Sequence, residues 1–146
     1  MKAIQLTWNE CSKEYVRSVV VDVERVNSLL KMCEVRERLL TNVVLDRETA
    51  SVIAEDYYEI IKELLIALLL VKGFKSSNHE CLVAFFIYHF PSLEYEATIL
   101  FELKNIRNRI SYEGYFVDEV YVNRNRLEFT HIAELIRVEI EKERRV

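Results

Sequence analysis

Apolar residues recur every three or four positions along most of this chain, the spacing of helices that each bury one face. The clearest stretch, Ile53, Tyr57, Ile60, Ile61, Leu64, Leu65 and Leu68, predicts a long helix from about Asp46, a plausible N-cap, to Val71. An earlier stripe of Val16, Val19, Val20, Val23, Val26, Leu30 and Cys33 predicts another long helix, from about Cys11 into the forties. "SNHE" at 77–80 has the Ser-x-x-Glu spacing of a capping box, so a short helix is expected from Asn78 to Phe90, stopped by Pro91. A fourth helix, from about Leu93 to Tyr112, carries Ile99, Leu103, Ile106 and Ile110 on one face. The tail "RLEFTHIAELIRVEIEKE" reads as a fifth, with Leu127, Ile132, Leu135, Ile136 and Ile140 apolar. Segment 115–122, "YFVDEVYV", stays open between helix, strand and loop, because its β-branched and aromatic residues also suit a short strand.

The chain's two glycines and one proline, Gly73, Gly114 and Pro91, all fall at breaks in this periodicity. Long helices joined by short turns predict an all-α fold, an up-and-down four-helix bundle with an additional C-terminal helix. The 146 residues fit a single helical domain spanning 1–146, and no repeat, low-complexity tract or linker divides it. The oiliest run, "LLIALLLV" at 64–71, is shorter than the roughly 20 apolar residues that a bilayer requires. It predicts either a helix turn buried on all sides or a surface shared with a partner subunit. "MKAIQLTWNE" lacks the apolar core of a signal peptide, so a cytoplasmic protein with no membrane partner is expected. Cysteine usage points the same way: Cys11, Cys33 and Cys81 make no metal-ligand spacing and no even-numbered framework. On one helix Cys11 and Cys33 would lie about 33 Å apart, so reduced thiols are expected.

A net charge of −4 excludes a uniformly basic nucleic-acid binder. Between Lys104 and Arg126, however, five cations (Lys104, Arg107, Arg109, Arg124, Arg126) face three anions (Glu113, Asp118, Glu119), a local +2. Such a patch attracts phosphate, or is simply a solvated helix face. Only one Glu is followed three residues later by His, Glu128 before His131, and di-iron bundles need two such pairs, which removes that class. His79, His89 and His131 form no i,i+4 pair and no Cys-x-x-Cys occurs, so no metal site is readable, and a zinc site would need tertiary coincidence. There is no Gly-rich phosphate loop and no local signature of a Ser or Cys nucleophile. No cofactor is expected.

The stretch "KNIRNRISYEGYF" at 104–116 resembles the signature of the HEPN domain family, small helical bundles found beside minimal nucleotidyltransferases, in toxin–antitoxin pairs and in several RNases. The family motif is Arg, commonly Asn, three variable residues and His, near the end of a late helix. Here "RNRISY" supplies Arg107 and Asn108, with Tyr112 where the His belongs. Chain length and helix order agree in outline, including a short third helix that opens with "KSSNHE". The resemblance implies a homodimer whose two motifs meet, a nucleotide or RNA ligand, and a minimal nucleotidyltransferase as a further partner. In catalytic relatives RNA is cut without metal, the 2′-hydroxyl attacking the adjacent phosphate.

By that likeness Arg107, Asn108 and Tyr112 occupy the catalytic positions. Arg107, Arg109, Lys104, Lys75 and His79 are the candidate phosphate contacts, and Tyr112 and Tyr115 the candidates for modification with AMP. Arg offers phosphate a fixed fork of donors, and Asn can orient a base or hydroxyl. Five residues of helix turn about 500°, so Arg107 and Tyr112 point some 140° apart, and two copies across a two-fold axis aim them together more readily than one. His, near 6.5, moves protons at neutral pH, whereas Tyr, near 10, is a poor base there. The resemblance thus favours a noncatalytic or weakly active nucleotide- or RNA-binding partner of a nucleotidyltransferase. A metal-independent endoribonuclease toxin is the alternative, and whether the chain is an enzyme stays open. A helical interaction protein with no nucleic-acid role is the third reading. Arg-Asn-x-Arg before Gly114 also suits a helix C-terminus, and Lys75 and His79 also suit a plain helix start.

Overall fold

The computed structural model describes residues 5–145. Residues 1–4, where the stretch scanned for a signal peptide begins, and residue 146 lie outside it. The described residues are mostly helical: α1 (Trp8–Glu14), α2 (Val23–Leu40), α3 (Ala50–Val71), α4 (Cys81–His89), α5 (Glu94–Glu113) and α6 (Glu119–Arg144). Two short strands, β1 (Val16–Ser18) and β2 (Phe74–Ser76), pair antiparallel with Arg17 opposite Lys75. The expected all-α class holds, with this small ribbon added.

Helix α3 is the axis of the fold and packs against α2, α4, α5 and α6. Its neighbours surround it, which is why Leu64, Leu65, Ala67, Leu68, Leu69 and Leu70 are all buried. The chain's own core therefore absorbs most of the "LLIALLLV" run, which no longer calls for a partner subunit. The turn before α3 is built by Asp46, whose carboxylate accepts from the amides of Glu48 and Thr49 at 2.8 and 2.9 Å, and the helix begins three residues later than that cap suggests, with Thr49 in the N-cap position.

The long first helix expected from Cys11 into the forties does not form. The chain breaks into α1, β1 and α2, because Val19, Val20 and Val21 favour extended backbone and Asp22 caps a fresh helix, accepting from the amide of Arg25 at 3.0 Å. Val20 is 91% exposed, so the valine stripe is not one buried face. The extended run finds its partner across Gly73, whose carbonyl accepts from the amide of Val19 at 2.8 Å and whose φ of 86° suits glycine.

The capping box at 77–80 is also not made. Ser77 turns its hydroxyl to the carbonyl of Tyr15, and Asn78 accepts from the amide of Glu80 instead, so α4 starts at Cys81. Segment 115–122 resolves into a loop followed by helix. Val117 plugs into the core, its amide donating to Ser51 Oγ at 2.9 Å, and Asp118 caps α6.

Cys11 and Cys81 form a disulfide, their Cα atoms 5.7 Å apart, which overturns the expectation of three reduced thiols. The expectation failed because it weighed only spacing along one helix, whereas α1 and α4 pack side by side. Disulfides persist in oxidising surroundings, so cysteine usage no longer argues for a reducing compartment. Cys33 is the free cysteine; it is buried against the carbonyl of Ile60 and the carboxylate of Glu63, and burial first, then Glu63, pushes its thiol up to about 12. No helix among the described residues is long and apolar enough to cross a membrane.

Candidate functional site

Arg107 lies on the face of α5 turned toward α3. Its guanidinium reaches Glu59 Oε1 at 3.3 Å, lies 5.4 Å from the centre of the Tyr58 ring, and donates to Asn108 Oδ1 at 3.4 Å. Glu59 is shared: its other oxygen holds Lys62 at 2.6 Å, one helical turn along α3. Lys104, one turn before Arg107, is 2% exposed and donates to Glu80 at 2.5 Å, with its ammonium 4.8 Å from the ring centre of Phe101. Lys62, Lys104 and Arg107 thus meet Glu59 and Glu80 at this junction of α3, α4 and α5, with Glu55 one turn away, its carboxylate accepting from Ser111 at 3.5 Å.

His79 belongs to the same junction. Its imidazole is held below its ordinary value of 6.5, first by partial burial and then by Lys62 and Arg107, with Glu59 pulling the other way. It is a neutral ring near a guanidinium at neutral pH. Tyr58 forms the floor: burial first, then Glu80, pushes its phenol up to about 12, and the charges of Arg107, Glu59 and Tyr112 also reach it. Tyr112 itself is 78% exposed, a ring at the rim.

The structure thus joins Arg107 and Asn108, with His79 within electrostatic reach of Arg107 and Tyr112 exposed farther along α5. Lys104 is close by, but Glu80 holds its buried ammonium away from solvent. Lys75 sits in β2 and, with Arg25, Ser76 and His79, lines a small cavity floored by Ile66, Leu69, Leu70 and Leu82. Arg109 and Tyr115 are drawn to the end of α5. Arg109 pairs with Glu113 at 3.4 Å, and its guanidinium covers the Tyr115 ring at 3.9 Å. There Gly114 closes the helix at φ 66°, with the amide of Tyr115 donating to the carbonyl of Arg109 at 3.3 Å.

Tyr58, Glu59 and Lys62 were not singled out from the sequence, and Glu80 only as the acid of a capping box. One signal was present, the i,i+3 pair Glu59 and Lys62 inside an otherwise apolar helix, but only the packing of α5 on α3 shows that Arg107 is its third member. Comparison with protein-family models, with curated proteins and with solved structures finds no match for this chain.

Proposed function

We propose that this chain is a HEPN-like nucleotide- or RNA-binding protein that grips phosphate through Arg107 and Asn108, as the noncatalytic partner of a minimal nucleotidyltransferase. The observation that carries the reading is the way Arg107 is held. Glu59 and the Tyr58 ring fix its guanidinium between α3 and α5, leaving the side chain about a quarter exposed. A guanidinium ordered before the ligand arrives loses less freedom on binding, and its remaining N–H donors match phosphate oxygens. Tyr112, exposed at the rim, offers a face for base stacking.

A short fluorescent RNA titrated at several salt concentrations tests this. Binding is expected to weaken steeply with salt, as phosphate contacts displace counterions. Arg107→Ala is expected to weaken it at least tenfold while lowering the melting temperature by only a few degrees, since a partly solvated ion pair contributes about 1 kcal/mol or less. Unchanged binding together with a large loss of stability would mean that Arg107 only ties α5 to α3.

His79 favours a second reading, the metal-independent endoribonuclease. A neutral imidazole within electrostatic reach of Arg107 supplies the kind of base that Tyr112 does not. In that case wild-type protein cuts RNA in the presence of chelators, and His79→Ala lowers the rate about 10²-fold or more. No cleavage by folded, RNA-binding wild type leaves the binding module standing.

A further inference from the structure

We propose that His89, Glu139 and Glu143 form a site for a divalent transition-metal ion where the end of α4 meets α6. The proposal is independent of the Arg107 junction. A zinc site was out of reach of the local sequence because His89 is separated from both glutamates along the chain, and folding supplies the meeting. Each of the three residues offers one ligand atom within 4.8 Å of the others. Donors bound at about 2.0 to 2.2 Å around one tetrahedral ion lie about 3.4 Å apart, so small side-chain rotations complete the set.

The elements aim these groups. Glu139 and Glu143, four residues apart on α6, project from one face of the helix. His89 ends α4, its ring set between Phe85 at 5.5 Å and Phe90 at 4.8 Å, and its Nε2 lies 3.2 Å from Glu139 Oε1. Lys72 reaches Oε1 of Glu143 at 3.2 Å. Two carboxylates meet one ammonium here, and a divalent cation would add the missing positive charge. Imidazole nitrogen with carboxylate oxygen selects Zn²⁺, Co²⁺ or their neighbours over Mg²⁺ and Ca²⁺, which prefer oxygen alone. Lys72 and His89 also line an open cavity of about 810 Å³ with Trp8, Phe85 and Tyr88. Three protein ligands leave a coordination position for water or for a small molecule entering from that side.

The test uses the full chain without a polyhistidine tag, treated with chelator and titrated with Co²⁺. Trp8, the only tryptophan, is linked to His89 through Phe85, with ring centres 5.3 and 5.5 Å apart along the way, so a paramagnetic ion at the site quenches its emission. The wild type is expected to show saturable one-to-one quenching in the micromolar range, accompanied by a visible Co²⁺ absorption band. Glu139→Gln and Glu143→Gln should each weaken binding at least tenfold while circular dichroism shows the fold retained, and Lys72→Met should tighten it. His131→Gln, which alters the separate His131–Glu96 pair on α6 and α5, should change nothing. Absent quenching in the wild type, quenching that both glutamine variants retain, or loss of binding in His131→Gln would each overturn the proposal.

Discussion

At the scale of single residues, burial decides what His79 and the Lys104–Glu80 pair contribute at the Arg107 junction. His79 is held below its ordinary value of 6.5, so the folded chain binds fewer protons there than the unfolded chain does as the medium becomes acidic. Its contribution to stability is fully present above pH 6.5 and is lost as pH falls toward the depressed folded value. Wild type should therefore lose more stability than His79→Gln between pH 7.5 and pH 5, measured by urea unfolding. Equal losses would show that the ring is free in water. Lys104 and Glu80 make an asymmetric pair, 2% and 45% exposed. Removing the acid strands a buried ammonium, whereas removing the base leaves a carboxylate that water can reach. Glu80→Gln should cost about 3 kcal/mol and Lys104→Met about 1 kcal/mol or less, the methionine keeping the contact with Phe101. The reverse order would mean that the ammonium finds another partner.

At the scale of elements, the disulfide does what the short α1 cannot do alone. Seven residues are too few to hold a helix, and α1 rests on α4 through Cys11–Cys81 and through Trp8, which stacks on Tyr88 at 5.6 Å. The bridge closes a loop of 70 residues, for which chain entropy alone would give slightly over about 4 kcal/mol, and Cys11→Ser/Cys81→Ser is expected to lose about 2 to 4 kcal/mol, the usual range for such bridges. Iodoacetamide should label no cysteine in the native chain, where all three are buried and deprotonation of Cys33 is suppressed, one (Cys33) after unfolding without reductant, and all three after unfolding with it. Labelling of Cys11 and Cys81 without reductant would remove the bridge from this account. The same elements mark where the sequence was legible. Helices α3 and α5 could be read because their apolar stripes are continuous and end at Gly73 and Gly114. β1 could not, since Val16 and Val19 share the spacing of a helix face and their true partners lie across Gly73, far along the chain. For the candidate site, "RN" pointed to Arg107 and Asn108. Glu59 and Tyr58 were hidden in a helix whose pattern speaks only of core, and Lys104 carries the same sign as Arg107 while being buried where Arg107 is not.

At the scale of the whole molecule, the question is where a second copy would sit, now that "LLIALLLV" is spent on the chain's own core. Exposed apolar side chains instead gather around the turn from α5 to α6: Tyr112 and Phe116 precede α6, and Val120 and Leu127, seven residues apart, share one of its faces. Leu127 is 82% and Phe116 70% exposed, more than any other leucine or phenylalanine among the described residues. A two-fold contact here would bring two Tyr112 rims together and, with them, the two Arg107 junctions, the arrangement that one helix alone cannot provide. Light scattering at micromolar concentration is expected to give twice the chain mass. Leu127→Lys should halve it, because a desolvated ammonium facing its own copy across the axis has no counter-charge. Arg107→Ala, which removes no apolar surface, should remain dimeric while losing RNA affinity. If Leu127→Lys separates the copies and RNA binding falls with them, the ligand spans both junctions. A wild type that scatters as a monomer, or a Leu127→Lys that stays dimeric, would assign these side chains to some other contact and leave each Arg107 junction to act alone.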